Sequence, residues 1–236
     1  MVGKLKDALR DAAEREGLIH ETVQVECAPL TPEEAIGAPE HQDYPIQRGR
    51  EVMLQVRVRG AIGQAFSRET VQRCMTLQQV LDLPLENDWQ RAVVIACANA
   101  VFALLGLVDS TVHCRDQGPV RCAGKLSALT RGERVALFGL QPRFVEALAT
   151  LGAVRCVDID PAVVGTRVAG VAIEPPERTG EVVEWAERVL VTGSALVNDT
   201  FTPFLGVGKP LHIFGTTGAA MAHLLELPRY CHAACV

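Results

Sequence analysis

From Arg134 to Leu227 the chain repeats strand, turn and helix four times, and each strand is followed by glycine, carboxylate or hydroxyl residues. The strands are the short apolar runs 135–138, 154–157, 189–191 and 211–214, of the kind buried on both faces of a parallel sheet. Helices are predicted over 142–151, opened by Pro142, which gives up no needed N–H at a first helical position, and over 180–187 and 219–227, which follow glycines. This alternation predicts right-handed crossovers and an open α/β sheet whose ligand crevice lies beyond the carboxyl ends of its strands. Those ends carry Gly139-Leu-Gln-Pro142, Asp158-Ile-Asp160, Thr192-Gly193-Ser194 and Gly215-Thr216-Thr217-Gly218.

Small residues let backbone N–H groups and helix N-termini approach a ligand, and an acid grips hydroxyls, so the four turns predict a small anionic or polyhydroxylated ligand. Gly139 lacks the G-x-G-x-x-G spacing and no G-x-x-x-x-G-K-[ST] follows any strand, so neither a nicotinamide cofactor nor a nucleoside triphosphate is indicated. Asp158 or Asp160 either holds ribose hydroxyls or caps the turn at Pro161. Ser194 has no histidine placed beside it, which favours a hydroxyl that binds phosphate or a metal chelate over a catalytic serine. No catalytic residue is assigned.

The first half of the chain has a different pattern. Residues 51–59 alternate Val52, Leu54, Val56 and Val58 with polar neighbours, a half-buried antiparallel strand. Gly60 and Gly63 predict a turn into 64–66, the run 22–27 adds another strand, and helices follow over 68–81 and 88–105. Residues 1–17 form a charged amphipathic helix with Leu5, Ala8, Leu9 and Ala12 on one side and no apolar signal segment, which predicts a cytoplasmic protein. The apolar stretch 92–108 is interrupted by Asn99 and sits at the lower limit for a membrane span, so it is read as a buried helix. Residues 29–49 make a long connection and the boundary falls within 123–134, giving a small α+β domain over 1–125 and an α/β domain over 126–236. An open sheet edge makes a homodimer plausible. Over 236 residues, 48% hydrophobic and 22% charged content describe a packed globular chain, and a net charge of −5 offers no basic surface for nucleic acid.

Eight cysteines without a secretion signal point to reduced thiols. Cys27, Cys97 and Cys156 read as small buried hydrophobes, and Cys74 stands alone on a polar helix. His113, Cys114 and Cys122, with Asp116 between them, offer imidazole and thiols to a soft or borderline transition metal whose identity the sequence does not reveal. Cys231, His232 and Cys235 form a second, terminal cluster. Neither cluster has C-x-x-C spacing, and ordinary loop cysteines are the competing reading. Trp89 and Trp185 read as packing residues.

The order of meander, alanine-rich helix with Asn99 and the run 189–200 resembles the bacterial and archaeal family described as putative heavy-metal chelation. The resemblance extends from about Val52 onward and is carried by 96–100, by Phe138, Gly139 and Pro142, by Val157 and Asp158, and by Thr192, Gly193, Ser194, Asn198 and Thr200. It implies a domain like the enolase N-terminal domain followed by a Rossmann-like domain. It also implies a ligand in the cleft between them, faced by Asn99, Gly139, Pro142, Asp158, Gly193, Ser194, Asn198 and Thr200; the Asn99 amide, which must find hydrogen-bond partners inside an apolar helix, either orients that cleft or ties the two domains together. Gly215-Thr216-Thr217 stands where family members tend to carry Gly-Pro-Ser. The implied activity is handling of a heavy metal or metal chelate, with a link to its transport. The competing reading is an enzyme acting on a nucleoside-like or phosphorylated small molecule bound at the strand ends.

Overall fold

The computed structural model describes residues 1–26, 30–49, 51–69, 72–130 and 132–232, with residues 22–26 described by their backbone alone. Cys27 and Cys235 lie outside the described residues. The helices are α1 (Val2–Arg15), α2 (Pro32–Ile36), α3 (Leu77–Leu81), α4 (Asp88–Leu104), α5 (Gly118–Ala123), α6 (Leu126–Thr130), α7 (Pro142–Leu151), α8 (Thr179–Trp185), α9 (Ser194–Val197) and α10 (Ala219–Leu224). The strands are β1 (Thr22–Glu26), β2 (Val52–Val58), β3 (Ala61–Ser67), β4 (Arg73–Thr76), β5 (Val135–Phe138), β6 (Val154–Val157), β7 (Arg167–Val168), β8 (Val171–Glu174), β9 (Arg188–Thr192), β10 (Leu211–Phe214) and β11 (Arg229–Tyr230).

The first sheet is antiparallel in the order β3-β2-β1-β4. Its β2–β3 hairpin turns on Arg59 and Gly60, both at positive φ, with Val58 paired to Ala61. Two left-handed residues match the right-handed twist of the flanking strands. Gly63, expected in a turn, lies inside β3 opposite Val56. A Cβ there would overlap the Ala96 carbonyl, so the missing side chain lets α4 lie against the strand. The helix expected over 68–81 is also corrected. Residues 73–76 form β4, which completes the open edge of β1, and Cys74 is exposed on that strand. The helix starts only at Leu77, where the Thr76 hydroxyl accepts from Gln79 N at 3.2 Å and the Gln79 side chain accepts from Thr76 N at 2.8 Å.

The second sheet runs β11-β10-β9-β5-β6-β8-β7, parallel throughout except for the β7–β8 pair. Among its parallel strands this is the order 3-2-1-4-5-6 of a dinucleotide-type fold, with the reversal of strand order between β5 and β9. Helix α7 starts at Pro142, and the Gln141 side chain caps it by accepting from Phe144 N at 2.8 Å.

Helix α4 joins the two halves. It is apolar on all sides and buried from Ala92 to Phe102, packed on β2 and β3 and touching α1, α9 and α10. One continuous core contains Leu54, Val56 and Ile95 together with Ala136, Val189 and Ile213. Each fully buried Val, Leu or Ile stabilises the fold by roughly 1.5–3 kcal/mol. Among the described residues no helix is long and apolar enough to cross a membrane.

Candidate functional site

At the carboxyl ends of β5, β6, β9 and β10 lies a cavity of about 940 Å³, closed on its other side by Tyr44, Glu51, Phe66 and His113 from the first half of the chain. It sits where the strand order reverses, the place at which α/β sheets leave a crevice because neighbouring connections depart to opposite faces. Gly139 (φ +93°) follows β5 so closely against β9 that a Cβ would overlap the Thr192 side chain.

Of the residues singled out from sequence, Gly139, Pro142, Asp158, Asp160, Thr192, Ser194, Asn198, Thr200, Gly215 and Thr216 all line this cavity. Gly193 and Asn99 do not. A Cβ on Gly193 would meet the Gly218 backbone nitrogen, so this glycine lets two turns pack together. Asn99, expected to face the cleft, is fully buried in α4. Its amide nitrogen donates to the carbonyls of Gln64, Thr216 and Thr217 at 3.0–3.3 Å, and its oxygen accepts from Ala220 N at 2.8 Å. It ties β3 to the turn after β10, the second of the two roles open to it.

The carboxylates form one pole. Asp158 accepts from Leu140 N at 2.6 Å with one oxygen and from Asp160 N at 2.8 Å with the other, and so fixes the turns after β5 and β6. Asp160 accepts from Ala162 N at 3.0 Å in a turn-capping contact. Glu51 reaches the same region from the start of β2. Burial, followed by the like charges of Asp158 and Asp160, pushes its pKa up to about 7.

The imidazole and thiols line another part of the wall. The His113 ring nitrogen Nδ1 lies 2.6 Å from the Cys114 carbonyl, the ring meets Phe66 edge-on at 5.3 Å, and burial lowers its pKa. Cys114 and Cys122 are buried. No group of three His, Cys, Asp or Glu side chains able to hold a metal ion occurs among the described residues, so His113, Cys114 and Cys122 do not converge as a metal set. Of the terminal cluster, Cys231 lines the cavity, while exposed His232 stands edge-on to Tyr230 at 4.7 Å.

Three contributors carried no signal of their own in the sequence: Glu51, Tyr44 and Arg143. The Tyr44 hydroxyl is buried without a hydrogen-bond partner, as is the Thr216 hydroxyl, and both residues line the cavity. Burial pushes the Tyr44 pKa up to about 12. Behind its ring, at 5.9 Å from the centroid, lies the guanidinium of buried Arg143. That group pairs with Asp43 at 2.6 Å and Glu146 at 2.8 Å, and it also contacts His41. Arg143 thus fastens the 41–44 loop to α7. Only the apolar 3.6-residue spacing of α7 is readable locally; the pairing across the chain is not.

Residues 124–224 match the model of the DUF364 family, described as putative heavy-metal chelation. Two solved structures from that family, both of proteins of unknown function, share the fold. One, from Pyrococcus horikoshii, is 15% identical, aligned over 92% of this chain and 79% of its own, with a TM-score of 0.57. The other, from Desulfitobacterium hafniense DCB-2, is 12% identical, aligned over 95% of this chain and 82% of its own, with a TM-score of 0.61. No curated protein matches the chain. The family match is the one the sequence resemblance names, and a mostly parallel sheet with a separate small sheet is the architecture expected.

Proposed function

We propose that the protein binds a small organic ligand in the cavity between its two sheets, and handles a heavy metal as the chelate of such a ligand. The cavity carries this reading. Its volume of about 940 Å³ suits an organic molecule, and its lining combines aromatic and aliphatic side chains with a few convergent polar groups from the strand-end turns. The description of the family that matches residues 124–224 supports the metal. The donor chemistry supports a chelate over a bare ion, because no described three-donor group is available to a metal. A soft or borderline ion then brings its nitrogen, oxygen or sulfur donors with it, and the protein recognises the organic envelope. In the nucleoside reading Asp158 or Asp160 holds ribose hydroxyls and the 192–200 turn holds an anion; both Asp158 oxygens already accept backbone N–H groups, and Asp160 accepts from Ala162 N.

The test is to incubate the protein with nickel and zinc as free ions and as their histidine complexes, desalt it, and measure bound metal by elemental mass spectrometry. The expected result is about one metal per chain from the complexes and little from the free ions. Metal retained from the free ions and lost in the Cys114→Ser/Cys122→Ser double variant would replace the chelate reading with thiol ligation. Retention from neither source would remove the metal from the proposal.

A further inference from the structure

We propose that residues 39–49 form a strap over the cavity that lifts to admit the ligand, with Arg143 as its latch. The inference rests on the reading of the cavity as a ligand site and adds how that site is reached. Pro39, Tyr44, Pro45 and Ile46 of this segment line the cavity. Its two ends belong to the first half of the chain: Ala38 N donates to the Asp116 carboxylate at 2.9 Å, and β2 begins at Val52. Between those ends the segment is held mostly by itself. Gln42 donates to the Pro39 carbonyl, Gln47 donates to the Gln42 side chain and accepts from Tyr44 N, and Gly49 N closes on the Ile46 carbonyl. Among the described residues, every hydrogen bond that leaves 39–49 goes to Arg143 of α7, through His41 and Asp43. Its two buried apolar side chains, Tyr44 and Ile46, pack in a small cluster with Ala35, Ile36 and Met53, separate from both larger cores. Releasing the Arg143 contacts therefore leaves the two larger cores intact.

The latch is itself poorly matched. Three side-chain atoms buried at this one junction, Asp43 Oδ1, Tyr44 Oη and Arg143 Nε, have no hydrogen-bond partner. Buried polar atoms are normally satisfied, and each one left unmatched raises the free energy of the closed arrangement. Lifting the strap gives water access to all three. Arg143 is not left as an uncompensated charge when Asp43 departs, because Glu146, one turn along its own helix, stays at 2.8 Å. Opening thus gives up the ion pair with Asp43 and the ring contact with Tyr44, and restores the hydration of three atoms. The two ends of the segment differ. A Cβ on Gly37 would overlap the Asp116 side chain, so the near end is clamped, whereas Gly49, at φ +68°, has open space around it and can change conformation.

The test follows alkylation of thiols by iodoacetamide in the whole protein, resolved by peptide mass spectrometry. Cys114 lines the cavity and is 7% exposed, Cys97 and Cys156 are fully buried in the two larger cores, and Cys74 is exposed. Relative to Cys74, Cys114 is expected to react roughly tenfold faster than Cys97 and Cys156, with a urea dependence about a third of theirs, the mark of a local opening. Arg143→Gln should speed Cys114 by about tenfold and Asp43→Asn by about threefold, with Cys97 and Cys156 unchanged within about twofold. The neutral fluorescent probe N-phenyl-1-naphthylamine should bind in the cavity, protect Cys114, and associate roughly fivefold faster with the Arg143→Gln protein in stopped flow. Cys114 reacting with the rate and urea dependence of Cys97 and Cys156 would overturn the strap, while binding of the probe would leave the cavity reading standing. Acceleration of all three thiols together in both variants would also overturn it, because Arg143 would then serve the stability of the whole fold. Absence of probe binding would overturn the cavity reading and the gating role with it. The urea series needs no variant, so it decides the matter even if Arg143→Gln fails to fold.

Discussion

The seam at Asn99 and the cavity beside it are both buried places where the two halves of the chain meet polar groups, yet they are built in opposite ways. At the seam the Asn99 amide is fully matched, with its oxygen and nitrogen bonded to four backbone groups. In the cavity the Tyr44 and Thr216 hydroxyls have no partner, and Glu51 faces two acids. Thr216 belongs to both places: its carbonyl is bonded at the seam and its side chain is unmatched at the cavity. The difference teaches how a polar group that the fold satisfies differs from one that it leaves unmatched. Both resist water, but only the first is satisfied by the protein itself.

Breaking the seam should have the largest effect. Asn99→Ala removes the bonds from two sides of the interface and leaves buried carbonyls and an N–H unmatched, so unfolding by urea should show a loss of about 3 kcal/mol. Glu51→Gln should act next and in the opposite sense. Because the folded-state pKa of Glu51 is raised, the folded protein holds this proton more tightly than the unfolded chain. Its contribution is therefore most favourable below about pH 4.5 and is lost as pH rises towards 7. Thermal melts should show Glu51→Gln stabilising by about 1–2 kcal/mol at pH 8 and little at pH 4.5. Tyr44→Phe, which deletes a hydroxyl with no bond to lose, should change stability by about 0.5 kcal/mol or less while weakening any cavity ligand that meets that hydroxyl, a contrast that denaturation and titration together reveal. Cys114→Ser with Cys122→Ser should have the smallest effect on ligand binding, within about twofold for the metal–histidine complexes, if the thiols serve only as wall.

The parallel sheet was legible because its strands are apolar runs separated by turn residues, and local pattern decides both; the bounds of β5, β6, β10 and α7 follow the runs closely. The turns that line the cavity were legible for the same reason, since the carboxyl end of each strand locates them. Pattern failed where partners are distant. Residues 73–76 look helical until β1 requires an edge partner, and Gly63 looks like a turn until α4 presses on it. Glu51 could not be picked out from the sequence, because nothing near it announces that a turn far along the chain will bring Asp158 and Asp160 to face it. Asn99 was noticed for the right reason, an amide in an apolar helix, but its partners decide its role. Cysteine and histidine suggest a metal by type alone, whereas the contact of His113 Nδ1 with the Cys114 carbonyl is set by the local backbone.

The central helix also sets how the chain comes apart. Since α4 is packed on one sheet and anchored through Asn99 to the connections of the other, parting the two sheets would sever those bonds together and expose a shared apolar core. The 41–44 loop, which brings Tyr44 to the cavity wall, is held to α7 by the Arg143 cluster. The two halves are therefore expected to unfold in a single transition, with no folded state in which the sheets stand apart.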